Sequence, residues 1–115
     1  MKRIRTGLLI GSVVLAGSAQ AADATLDQGK LIYERWCAIC HDPGLPGAEA
    51  LQAKYKGSKP AALDERTDLP PAVTKTFVRK GVSIMPFFRK TEVSDKDLDA
   101  LAAYLARNGK RETKP

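Results

Sequence analysis

Apolar residues along the chain fall into an unbroken early run and then several spaced stripes, and the two patterns call for different readings. The run, Gly7 to Gly17, is almost wholly apolar; Lys2, Arg3 and Arg5 precede it and Ala19-Gln20-Ala21 follows it. A basic start, a short apolar stretch and a small-x-small site together predict an export signal over residues 1–21, cleaved so that the mature chain starts near Ala22. At about eleven residues the run is well short of the roughly 20 that a membrane-spanning helix requires, so no membrane anchor is expected. No Cys stands at the cut site and Arg3-Ile4-Arg5 is not a twin-arginine pair, which predicts export of an unfolded, non-lipidated chain to the periplasm.

Beyond the signal, Asp23 to Thr25 reads as a lead-in. From Asp27 the residues Leu31, Ile32 and Trp36 recur near helical spacing, predicting an amphipathic helix that runs into Cys37. Pro43, Gly44, Pro46 and Gly47 interrupt regular structure after His41, so a loop is expected there. Ala48 to Tyr55 can hold a short helical turn, Lys54 to Lys59 is polar, and Pro60 to Arg66 is a weak helix candidate. Pro70-Pro71 suits a helix start, because the first helical position has no use for an amide hydrogen. Val73, Phe77 and Val78 would form its apolar face, and Gly81 would close it with a left-handed cap.

Val82 to Lys90 cannot continue the helix, because Pro86 lacks a donor and restricts Met85 to extended geometry. An ordered loop with an apolar side is expected instead. Ser94 and Asp97 resemble a capping box, with Asp in place of the usual Glu or Gln, ahead of a stripe formed by Leu98, Leu101, Ala102 and Leu105. Asn108-Gly109 ends that helix, and residues 110–115 read as a flexible tail. With no repeats and no alternating strand pattern, the reading is one all-α domain over 22–109 with substantial loops.

Composition refines this picture in two respects. The formal charge of the chain is +6, but the signal carries three of its cations and no acid, so the mature charge falls to about +3. What remains is interspersed with Asp and Glu, with no basic stripe or aromatic interleaving, so nucleic acid is excluded as a partner. A mature chain of roughly 94 residues also has a modest core, which a buried prosthetic group would enlarge.

The candidate chemistry sits at Cys37-Ala38-Ile39-Cys40-His41, a C-x-x-C-H pattern of the kind that attaches haem c. Two thiols at this spacing can add to two vinyl groups along one porphyrin edge, and the adjacent imidazole then reaches the iron. The chain holds two Cys and one His, too few for a structural zinc site. A thioredoxin-like dithiol would need a βαβ setting that the pattern lacks, while a plain disulfide remains open outside the cytoplasm.

Met85 is the sole methionine besides the initiator, and it lies in Ile84-Met85-Pro86-Phe87-Phe88, a stiff apolar loop rather than a helix face. That setting suits a thioether ligand opposite His41. A His/Met pair raises the reduction potential and leaves no coordination site for substrate, which points to electron transfer rather than catalysis at the iron. The second ring nitrogen of His41 is expected to donate to a carbonyl between Pro43 and Gly47.

From Gly29 to Leu105 the sequence resembles class I cytochromes c, on Gly29 and Tyr33, on Cys37 to His41, and on Met85 with the last helix. The resemblance implies a small cytochrome c fold, three to five helices around one covalent haem c. It also implies crossing first and last helices, with Gly29 permitting the approach and Tyr33, Leu101, Tyr104 and Leu105 packed around it. Cys37 and Cys40 would carry the thioethers and His41 and Met85 the iron. More narrowly, Val78-Arg79-Lys80-Gly81 with Met85-Pro86-Phe87-Phe88 is similar to the cytochrome subunits of flavocytochromes such as p-cresol methylhydroxylase.

That likeness implies a flavoprotein dehydrogenase of phenolic substrates as electron donor, and a downstream cytochrome or copper protein as acceptor. Arg79, Lys80, Arg89 and Lys90 flank the methionine loop, either to steer an acidic partner or as solvated surface and propionate contacts. Trp36 and Tyr55 read as packing of the haem pocket. A free periplasmic carrier, a peroxidase-like haem enzyme and a haem-free thiol oxidoreductase are the competing functions.

Overall fold

The computed structural model describes residues 17–109. The basic start and apolar run of the expected leader, through Ala16, lie outside them, as does the expected tail over 110–115. The described chain folds into α1 (Gly17–Trp36), α2 (Ala38–His41), α3 (Pro46–Tyr55), a 3-10 turn (Leu63–Glu65), α4 (Pro71–Lys80) and α5 (Asp95–Ala106). Among the described residues the only β-type pairing is an isolated bridge between Val82 and Met85, so the all-α expectation holds. No helix among them is long and apolar enough to cross a membrane.

Helix α1 starts well before Asp27, and the expected lead-in at Asp23 to Thr25 is helical. Ala19, Ala21, Ala22 and Ala24 are the strongest helix formers, and Thr25 Oγ1 donates back to the Ala21 carbonyl at 2.9 Å, so nothing local stops the helix. Its later half crosses α5 at Gly29. A Cβ there would collide with the Ala100 carbonyl oxygen and stand 2.6 Å from Tyr104 Cβ, so backbone meets backbone at this point.

Around the crossing, Ile32, Tyr33, Leu98, Leu101, Tyr104 and Leu105 are buried together with Val78 and Val93. The rings of Tyr33 and Tyr104 lie 5.9 Å apart at a 43° tilt, a favourable aromatic arrangement. Tyr33 then donates from its hydroxyl to Asp42 Oδ1 at 3.3 Å, tying α1 to the residue after His41. Burial, reinforced by Asp64 and Asp42, raises the pKa of this phenol, so it stays a donor.

Helix α4 starts with Pro71 at its first position, as expected. Its buried residues are Thr74 and Val78, whereas Phe77 is exposed and Val73 half-buried, so the predicted Val73/Phe77/Val78 face is corrected. The i, i+4 stripe facing α5 runs through 74 and 78, and Phe77 lies off it, about 60° round the helix from Thr74 and about 100° from Val78. Gly81 takes φ 68° as expected but ψ 173°, so it leaves α4 in an extended direction rather than as a left-handed helical cap.

At the start of α5, Ser94 Oγ accepts from the Asp97 amide at 3.1 Å and its hydroxyl donates to Asp97 Oδ2 at 2.8 Å. The shorter Asp returns to the Ser hydroxyl instead of its amide, and its other oxygen accepts from the Gln28 side chain at 3.1 Å, so the cap also joins α1 to α5. The far end of α5 holds the 3-10 turn. The Asp64 carbonyl accepts from Arg107 at 3.0 Å and from Asn108 at 2.7 Å, and the Arg107 guanidinium lies 3.8 Å from the Tyr104 ring.

A polar cluster closes the intervening segment. Arg66 is 4% exposed and forks onto Asp68, with Nε to Oδ1 at 2.6 Å and a terminal nitrogen to Oδ2 at 2.9 Å. Lys59 donates to the same carboxylate, and the Tyr55 ring lies under both cations, 4.7 Å from Arg66 and 5.0 Å from Lys59. Tyr55 thus serves as a cation platform, a role its sequence setting did not indicate. The Arg66 hydrogen bonds, then Lys59, hold the Asp68 carboxyl well below the usual carboxylate range.

Two outcomes follow from this packing. Gly29→Ala forces the helices apart and should lower stability by about 1–3 kcal/mol in denaturant unfolding, the usual cost of overpacking. Asp68 has a depressed folded pKa, so its stabilisation is complete above the unfolded value of about 4 and is lost as pH falls below it. Asp68→Asn should therefore be less stable than the parent at neutral pH, and thermal unfolding along an acid series should show the gap closing below that pH.

Candidate functional site

The site begins where α1 stops. The Cys37 amide still bonds the Tyr33 carbonyl at 2.8 Å, while its own carbonyl accepts from Cys40 at 3.1 Å and His41 at 3.0 Å. Cys37 is therefore both the last turn of α1 and the cap of α2, and residues 37, 40 and 41 share one face of a single turn at i, i+3 and i+4. Both thiols are free, Cys37 half-buried and Cys40 exposed. Burial, with Cys40 adding, pushes the Cys37 thiol up to about 12.

Burial also lowers the His41 pKa, favouring the neutral imidazole that can donate a lone pair to a metal. Its Nδ1 is buried without a hydrogen-bond partner, which corrects the expectation of a carbonyl acceptor between Pro43 and Gly47. The loop presents its backbone to the ring differently. A Cβ on Gly47 would stand 3.1 Å from His41 Cε1 and 2.6 Å from the Cys40 carbonyl, and the Asp42 and Leu45 carbonyls are taken by Leu45 and Glu49.

Gly47 therefore belongs to the site, although sequence reasoning took it for a loop breaker only. It lies inside α3, and a glycine there sacrifices helix stability, which was the available signal.

Met85 reaches the core from the loop after α4. Val82 and Met85 exchange backbone hydrogen bonds at 3.1 and 2.9 Å, closing a tight turn in which Ser83 has φ 53°. The Phe88 amide donates to the Val78 carbonyl at 2.8 Å, anchoring the exit of the loop to α4. Half-buried, Met85 packs against the same core as Trp36, Cys37 and Ala38. The Trp36 and Phe88 rings meet edge-on at 5.9 Å and 75°, linking the end of α1 to the methionine loop. Trp36 thus packs between the end of α1 and the methionine loop.

The cations flanking that loop are mostly engaged. Arg79 and Lys90 reach Asp95 at 2.9 and 2.7 Å, and Arg89 reaches Glu92 at 3.2 Å. Beside the C-x-x-C-H turn and the methionine loop, apolar side chains stand in the open: Ile39 is 74% and Ile84 85% exposed, with Phe77, Val82 and Phe87 also exposed. Among the described residues no three His, Cys, Asp or Glu side chains gather into a metal-binding group. A bare ion is thus poorly served. Paired free thiols, a buried imidazole nitrogen without a partner, a thioether and apolar surroundings instead fit a large flat prosthetic group that brings its own metal.

The family model for cytochrome c oxidase, cbb3-type, subunit III matches residues 24–105. The chain is also similar to the cytochrome c subunit of 4-cresol dehydrogenase (hydroxylating) from Pseudomonas putida, 33% identical over 103 residues that cover 88% of this chain and 79% of the relative. No solved structure matches it significantly. The family match runs through the C-x-x-C-H turn, the methionine loop and nearly all of α5, and the relative aligns over most of the chain; on that ground the chain belongs to the cytochrome c family, haem proteins that transfer electrons.

Proposed function

We propose that the chain carries one haem c, bound covalently by Cys37 and Cys40 and ligated axially by His41 and Met85. The observation that carries this reading is the single turn presenting two free thiols and an imidazole with a buried, unpartnered nitrogen, on the same core as Met85. Haem supplies a one-electron iron couple when bound. The chain's own contributions are distinct: His41 offers a neutral imidazole, Met85 a soft thioether that favours the ferrous state, and the apolar loop excludes water, which disfavours the extra ferric charge. With both axial positions filled from the chain, none remains for a substrate, which favours electron transfer over peroxidase-like chemistry.

The reading extends to a partner. The P. putida relative is the cytochrome c subunit of a dehydrogenase. By that likeness this chain serves in the periplasm as the electron-accepting subunit of a flavin-dependent dehydrogenase of phenolic substrates, and passes electrons to a downstream cytochrome or copper protein. Stoichiometric co-purification of a flavoprotein from the native host tests the assignment; a lone monomer would make the chain a free carrier.

Alkaline pyridine haemochrome spectra of the mature protein should show one haem with both vinyl groups saturated, and Cys37→Ser or Cys40→Ser should leave one vinyl group intact. A colourless protein would be a thiol oxidoreductase instead. Met85→Ala should abolish the weak red absorption band of thioether-ligated ferric haem, lower the reduction potential and admit cyanide; a parent protein without that band would refute the Met85 assignment.

A further inference from the structure

The methionine loop is held by little burial. Val82, Ile84 and Phe87 are all exposed, and Met85 itself is only half-buried. What spans it is polar. Arg79, from the last turn of α4, donates to the Phe88 carbonyl at 3.0 Å and the Val93 carbonyl at 2.9 Å, then reaches Asp95 at 2.9 Å at the start of α5. One side chain thus bridges the helix before the loop, the backbone after Met85 and the helix beyond.

Two features make this bridge specific to the loop's position. Gly81 lets the chain turn back so closely that a Cβ would stand 2.7 Å from the Met85 carbonyl oxygen and 3.0 Å from the Phe87 amide. The Phe88 amide and carbonyl are then both captured from α4, by the Val78 carbonyl and the Arg79 guanidinium. Met85 lies between the Val82 turn and this doubly held residue. The guanidinium is the element that can satisfy two carbonyls and a carboxylate at once, because its donors form a rigid planar fork. Lys90 adds a second cation to Asp95 at 2.7 Å.

We propose that Arg79, fastened by Asp95, is a positioning residue that holds the methionine loop closed, so that the Met85 sulfur stays on the haem iron. This rests on the His41/Met85 ligation proposed above. A site filled by Met85 admits an outside ligand only when the loop opens, so the apparent affinity for that ligand scales with the open fraction. Imidazole added to the ferric, haem-loaded protein is the probe, read by absorption.

Arg79→Gln should raise apparent imidazole affinity on the order of tenfold, weaken the thioether band and lower the reduction potential. Asp95→Asn should give a smaller change in the same direction. Arg79→Lys, which keeps the charge but loses the fork, should fall between the parent and Arg79→Gln. If Arg79→Gln does not fold, the Arg79→Lys and Asp95→Asn pair decides.

Variants that lose thermal stability yet bind imidazole like the parent would overturn the positioning role and leave Arg79 a structural residue. Failure of the ligation itself looks different: the parent would lack the thioether band and bind imidazole as tightly as Met85→Ala.

Discussion

Everything at the site is referred to the crossing of α1 and α5, where the backbone of Gly29 lies against that of Ala100. Because no side chain intervenes, the separation of the two helices is set by main-chain contact. α1 then ends at the Cys37 turn, and α5 begins at the Ser94 cap that receives Gln28 through Asp97. The C-x-x-C-H turn and the anchor of the methionine loop are thus measured from one point. The buried residues Tyr33, Leu101, Tyr104 and Leu105 fill the angle between the helices and oppose any sliding, since interiors at native packing density respond to a change of even one methylene.

Two kinds of force divide the remaining structure. The crossing helices rely on apolar contact, whereas the methionine loop and the segment before α4 are short and held by directed hydrogen bonds. Arg79 on one side, and the Arg66–Asp68–Lys59 cluster on Tyr55 on the other, do what a larger hydrophobic core would do in a bigger protein. In a chain this small, apolar area is limited, and polar fastening of loops supplements it.

The parts legible in the sequence were those governed by local rules. The Ser94 cap, the Pro71 start, the α5 stripe and the C-x-x-C-H turn each depend on residues within a few positions of one another, and each is found where its signal lies. Parts set by tertiary neighbours were not legible. Phe77 was assigned to a core that Thr74 occupies, because a single-sequence period does not say where a stripe is centred. The Asp23 to Thr25 segment reads as a lead-in from the sequence, although it lies within α1, where Ala19, Ala21, Ala22 and Ala24 favour helix. Arg79 looked like a surface charge, since no local pattern reveals that Phe88 and Val93 will present carbonyls to it. The unpaired His41 Nδ1 likewise depends on how α3 backs onto the ring through Gly47.

The Arg79 bridge joins two environments with different sensitivity to dissolved ions. Its carbonyl contacts are partly buried, while its outer anchor is open to solvent, with Lys90 73% and Asp95 62% exposed. Mobile ions screen exposed charges and leave enclosed dipoles nearly untouched. Raising ionic strength therefore loosens the outer pair first and leaves the guanidinium on its carbonyls, so the hold on this segment declines with salt to a plateau rather than to nothing.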